Sequence, residues 1–173
     1  MLIEVEVHLG KIPDQERLVI VLKERAGERF MICSIQDEPL KEILIALFDL
    51  PTNRPATHAT WAKMTFEAHI VLEQLVIDMI DDEKQLICYL HFRQDSRTWK
   101  VECRPSDGIP LALHLDAPLM CRDSLFTDLS AGNAAEATPV SAEEYLSTQA
   151  AEEDEVEEKL RIFSAFHPDI PKA

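Results

Sequence analysis

Ile3, Val5, Val7 and Leu9 alternate with Glu4, Glu6 and His8 at the start of the chain. A period of two places the apolar set on one face and the charged set on the other, so this segment reads as a half-buried strand that must belong to a sheet. Leu18 to Lys23 and Arg29 to Ile35 read as two more strands, joined by a turn at Ala26-Gly27. The period then changes. Leu40, Ile43, Leu44, Leu47 and Phe48 recur at i, i+3, i+4, i+7 and i+8, which predicts an amphipathic helix that opens near Asp37-Glu38-Pro39.

A polar break at Pro51-Thr52-Asn53-Arg54-Pro55 ends that helix. A second helix is expected from Thr57 or Thr60, either of which can cap it, to about Ala68, with Trp61 and Met64 on its core face. Leu75 to Ile80 and Gln85 to Phe92 predict a hairpin across residues 81–84, and Trp99 to Cys103 pairs back across Gln94 to Arg97. A third helix opens after Arg104-Pro105-Ser106-Asp107, and a short strand runs from Pro118 to Cys121. Strands followed by a helix thus occur twice. The expected fold is α+β, with helices packed on mostly antiparallel sheet and an internal duplication of a β-rich unit with its helix.

The composition changes near residue 130. We expect a first domain over 1–128, a linker over 129–140 rich in Ala, Gly, Ser and Thr, and an acidic helical arm over 141–173. Ser141-Ala142-Glu143-Glu144 is a capping box, with Val140 and Tyr145 placed as a hydrophobic staple. Val156, Leu160 and Phe163 share one face of the arm, a surface suited to a homodimer.

The chain carries 32 acidic and 17 basic residues, a net charge of −15. Residues 131–173 hold ten acidic and three basic residues, so the first 130 are only moderately acidic. This balance excludes a generic, basic nucleic-acid binder, and any phosphate site must be local. No apolar run reaches the roughly 18 residues of a membrane span, and the N-terminus lacks the pattern of a signal peptide. Cys33, Cys88, Cys103 and Cys121 have no metal-knuckle or redox-pair spacing, and read as reduced, buried thiols of a cytoplasmic protein.

Two motifs are more specific. One is Arg54-Pro55-Ala56-Thr57-His58. The other runs from Val101 through Arg104-Pro105-Ser106-Asp107-Gly108-Ile109 to the Ala117-Pro118 turn. In this order, about 50 residues apart, they resemble the bifunctional nuclease domain family, over roughly Met1 to Leu125. The family shows Arg-Pro-x-Thr-His-Asp and then Ser-Arg-Pro-Ser-Asp-Ala. The segment Phe163 to Ile170 is similar to the family's closing stretch. The chain departs from the pattern at Gln36, where the family has Gly, and at Pro39, where it has Glu. Ala59 stands for the Asp after Thr-His, and Gly108 and Pro110 stand for two alanines.

The resemblance implies hydrolysis of phosphodiester bonds in RNA, DNA or both, weak in a chain lacking those acids, and a homo-oligomer. Such chemistry needs charge on the phosphate and an activated water. The resemblance points to Arg104, Asp107 and His58 as catalytic, and to Arg54, Ser106 and Thr57 as substrate-binding, with Glu38 a further carboxylate. Whether a divalent ion such as Mg²⁺ or Mn²⁺ takes part stays open, and no other histidine has ligand spacing. Each residue also has a purely structural role open to it. Asp107 is expected as the N-cap of the third helix, with Arg104 pairing with it or with a carbonyl, Pro110 then falling at N3, and Thr57 as the cap of the second. The alternative function is an inert or regulatory interaction domain that binds a partner protein.

Overall fold

A computed structural model describes residues 1–12, 17–33, 35, 37–80, 85–128 and 138–148. The chain divides into two compact units, Met1–Pro139 and Val140–Ala173. In the first, the strands are β1 (Leu2–Ile12), β2 (Arg17–Glu24), β3 (Phe30–Cys33), β4 (Val71–Ile80), β5 (Gln85–Gln94), β6 (Arg97–Cys103), β7 (Leu119–Arg122) and β8 (Thr138–Pro139). The helices are α1 (Asp37–Phe48), α2 (Thr57–Glu67), α3 (Pro105–His114) and the short α4 (Leu125–Asp128). The fold is α+β, as the two periods in the sequence require. The 81–84 turn and residues 129–137 lie outside the described residues.

The strands form one sheet in the order β3-β2-β1-β7-β4-β5-β6, with β8 also on β1. Every pairing is antiparallel except β4 with β7. The two meanders, β1-β2-β3 and β4-β5-β6, flank β7 on either side, and the helix after each is α1 or α3. This is the expected repetition of a β-rich unit with its helix.

Register explains the core. Val5 pairs with Leu119, Leu119 with Leu75, Leu75 with Leu90, and Leu90 with Val101. This row crosses five strands on one face. Its first four members are buried under the helices, whereas Val101, on the edge strand, is 42% exposed. Over this face α1 packs on α3 and touches β1, α2 lies on α3, and α3 packs on β4 and β5. Gly108 permits that last contact. A Cβ there would sit 2.8 Å from Leu75 Cδ1 and 2.9 Å from Cys103 Sγ.

The three longer helices, α1, α2 and α3, end alike. Asp49, His69 and Asp116 have φ of 48°, 54° and 50°. Beside them Leu50 N–H donates to Ile45 O, Ile70 N–H to Thr65 O and Ala117 N–H to Ala112 O, the long bond of a Schellman stop. None of the three uses glycine, the residue best suited to a left-handed position.

Of the cysteines, Cys33, Cys88 and Cys121 are free and buried, and burial pushes the Cys33 and Cys121 thiols up to about 12. Cys103 is free and only half-buried. No helix among the described residues is long and apolar enough to cross a membrane.

In the second unit a helix runs over 142–148. Ser141 Oγ accepts from the Glu144 N–H at 3.1 Å, as the capping box predicts, and Val140 and Tyr145 are both buried. The apolar face expected at Val156, Leu160 and Phe163 lies outside the described residues.

Candidate active site

The junction of β6 and α3 is shaped by Pro105. A residue before proline is driven out of the helical region, and Arg104 is extended, at φ −75° and ψ 155°. Arg104 is therefore the N-cap, and Pro105 takes the first helical position. The N–H groups of Asp107 and Gly108 both donate to Arg104 O, closing the first turn there. Asp107 is thus not the N-cap expected from sequence but the third residue of the helix, in its first turn. Pro110 consequently lies inside α3 rather than at N3, and cannot donate to the Ser106 carbonyl.

At N3, Asp107 turns its carboxylate back on Arg104. Nε lies 2.8 Å from Oδ2 and Nη2 3.2 Å from Oδ1, a two-pronged ion pair. The Arg104 side chain is 79% exposed, and Asp107 holds its guanidinium above its usual pKa.

Behind Asp107 lies His58, 6% exposed, on the first turn of α2. Its Nδ1 is 2.9 Å from Glu42 Oε2 on α1, and its backbone N–H reaches the same oxygen at 3.4 Å. Its Nε2 faces Asp107 Oδ1 at 3.9 Å, is sealed from solvent and has no hydrogen bond. Glu42 of α1, His58 of α2, Asp107 of α3 and Arg104, the N-cap of α3, thus form a chain of alternating acid and base with the buried His58 at its centre and the exposed Arg104 at its outer end. His114 lies in the last turn of α3 and feels the charges of His58 and Glu42. Burial, and then the neighbouring His58, lower its pKa, and its Nε2 is also unpaired.

Thr57 is not a cap either. Ala56 is the N-cap of α2, without a side-chain bond, and Thr57 is its exposed first residue. Arg54 is exposed in the loop before it, and no hydrogen bond or ion pair joins either residue to the cluster among the described residues. Ser106 is half-buried in the first turn of α3. The Glu38 side chain lies outside the described residues. The sequence motifs thus bring His58, Arg104 and Asp107 together.

Glu42 was not foreseen. The resemblance sets its helix-1 acid at the position of Pro39, and Glu42 stands three residues later, on the same helical face. Among the described residues no group of three or more His, Cys, Asp or Glu side chains is arranged to hold a metal ion.

The Arg104–Asp107 pair stands at one end of an open groove of about 580 Å³ between α2 and the β5–β6 hairpin. Trp61, Met64, Leu90, Phe92 and Val101 line it. Trp61 and Met64 are 47% and 65% exposed, so they are not the core residues expected from their spacing. The buried residues of α2 are His58 and Ala62, and Trp61 and Met64 border the groove instead. The Trp61 ring stands edge-on to His58, with centroids 5.3 Å apart.

The family model of the bifunctional nuclease domain matches residues 20–133, a span that includes Glu42, His58, Arg104 and Asp107. The chain belongs to the bifunctional nuclease domain family. No curated protein sequence matches it.

Proposed function

We propose that this member of the bifunctional nuclease domain family hydrolyses phosphodiester bonds in RNA, DNA or both. The observation that carries the reading is the exposed Arg104 guanidinium forked onto Asp107 at the mouth of a groove, with His58 directly behind. Arg104 offers donors to the non-bridging oxygens of a phosphate, matching their fork geometry. Once the phosphate draws Arg104 away, the Asp107 carboxylate is free to take a proton from water as its oxygen attacks phosphorus. The P–O bond to the leaving sugar oxygen breaks at the same time, and that oxygen takes a proton from solvent. His58 is sealed from solvent and acts on Asp107, so its role is to position that carboxylate. Ser106, Thr57 and Arg54 are assigned to the flanking strand. A divalent ion such as Mg²⁺ or Mn²⁺ remains compatible with this scheme.

Cleavage of labelled single-stranded RNA and DNA, with Mg²⁺, with Mn²⁺ and with chelator, tests it. Asp107→Asn preserves the side chain's shape but not its basicity, and should lower cleavage at least about 100-fold in a folded protein. Arg104→Ala should do the same. Full cleavage by Asp107→Asn would reduce Asp107 to an ion-pair partner.

One observation favours a second reading. Glu42 partners the Nδ1 of His58 and Asp107 partners Arg104, and together they tie three helices without substrate. No cleavage by the unmodified protein under any of these conditions would make the chain an inert or regulatory interaction domain that has kept the scaffold. On either reading we place it in the cytoplasm as a homodimer, on the family resemblance and the free thiols. A monomer mass by light scattering would rule the dimer out.

A further inference from the structure

We infer that the groove between α2 and the β5–β6 hairpin seats the bases of single-stranded nucleic acid, with Arg104 and Arg97 holding the backbone at its two ends. This rests on the reading of Arg104 and Asp107 as a phosphodiester site and adds how a strand is presented to it. The helix-facing row of the sheet is buried until it reaches Val101, where the helices stop short of the edge. Of the aromatic groups left there, Trp61 and Trp99 are partly open to water and Phe92 lies buried beneath. Phe92 and Trp99 stack with centroids 5.7 Å apart and an interplanar angle of 26°. The Arg97 guanidinium lies over Trp99, 5.3 Å from the ring centre. Trp61 faces the groove from α2 and touches His58. Of the chain's two tryptophans, Trp61 lines this groove and Trp99 stacks on Phe92, which also lines it.

Aromatic faces beside arginines suit unstacked bases, because every base offers a π-face and the guanidinium meets both phosphate and ring. A duplex keeps its base faces covered by one another. Two guanidinium groups, Arg97 over Trp99 and Arg104 at the mouth, flank these rings in a chain of net charge −15, and both suit the phosphates of a polyanion. A second copy of the chain would bring that same net negative charge. Arg97 and Arg104 lie seven residues apart along β6, about 23 Å at the rise of a strand, which accommodates several nucleotides.

Because Trp61 lines the groove and Trp99 stacks on its Phe92, intrinsic fluorescence reads its occupancy in the full chain. Titration with an oligothymidylate of about eight nucleotides, in chelator, should quench that fluorescence to saturation, and a duplex of equal length should not. By anisotropy of a labelled strand, Trp61→Ala should bind about 5- to 150-fold more weakly, and Trp61→Phe should recover most of the loss. Arg97→Ala should weaken binding and lower the slope of log K against log salt by about 0.7.

Unmodified affinity in both Trp61→Ala and Arg97→Ala, or binding without quenching, would overturn the inference. So would failure of the unmodified protein to bind the strand, or a dimer that Trp61→Asp converts to monomer in a protein whose fluorescence the strand does not quench. The two readings separate cleanly. A protein that quenches but does not cut keeps the groove and loses the hydrolysis. A protein that cuts, with KM unchanged in Trp61→Ala, keeps the hydrolysis and loses the groove.

Discussion

His58 Nε2 stops 3.9 Å from Asp107 Oδ1, too far for a hydrogen bond and close enough for charge to matter. A neutral ring that donates through Nδ1 to Glu42 turns a bare lone pair toward the carboxylate. Asp107 is therefore held through its ion pair with Arg104, and the buried ring packs behind it.

Glu42 should matter more to stability than its half-exposed position suggests. Glu42→Ala leaves the Nδ1 of a buried imidazole without its partner and should cost about 1–3 kcal/mol. Glu42→Gln keeps an acceptor and should cost less. Urea unfolding midpoints at pH 7 would measure both, and equal stability of all three proteins would show that His58 finds another partner.

Gly108→Ala tests the close approach of α3 to the sheet. Alanine favours a helix by about 1 kcal/mol, but its Cβ would press on Leu75 Cδ1 and Cys103 Sγ. Overpacking of this kind costs about 1–3 kcal/mol, so a net loss is expected. The family pattern has Ser and Ala where this chain has Cys103 and Gly108. Cys103→Ser exchanges sulfur for a smaller oxygen and should recover part of the loss in the double variant. Additive effects would show that the two sites do not share the space.

His69→Gly should raise stability by about 1 kcal/mol, since the left-handed conformation costs a side-chain-bearing residue about that much. His69 is exposed, and its N–H bond to Phe66 O belongs to the backbone, so nothing else is lost. A thermal midpoint unchanged or lowered in the variant would contradict this.

The acid limb of stability should carry a contribution from His114. Its pKa is held below the ordinary 6.5, so the folded state resists its protonation more than the unfolded chain does. Stability is unaffected by this group above 6.5 and falls as pH drops through 6.5 toward the lowered value. Asp78 and Glu24, whose pKa values Arg122 and Arg29 lower, lose their contributions only further down, below about the ordinary carboxylate range. Melting curves of the unmodified protein and His114→Gln from pH 5 to 8 should converge at the alkaline end and diverge below 6.5, with the variant less sensitive.

The strands and α1 were legible because their sequence periods are strong and uninterrupted: Ile3 to Leu9 in steps of two, Leu40 to Phe48 in steps of three and four. His58, Arg104 and Asp107 were legible through the two motifs. What periodicity cannot say is what a face looks at. Trp61 and Met64 do share a side of α2, but that side borders an open groove. Local competition decided the caps. Asp107 has the right chemistry for an N-cap, yet Pro105 forces Arg104 to be extended and starts the helix three residues earlier. Glu42 escaped notice because the motif directs attention to residue 39, and only folding shows that one further turn of helix reaches His58.

The placement of β7 between the two meanders has a kinetic consequence. Each meander pairs only near neighbours in sequence and can assemble as soon as its own hairpins exist. They become one sheet only when Leu119–Arg122 inserts between β1 and β4, a closure that spans well over a hundred residues on the β1 side. During synthesis, β1 and β4 must each wait with an open edge for a four-residue strand made after both of them. That interval is when the chain is most exposed to pairing with the wrong strand, its own or a neighbour's.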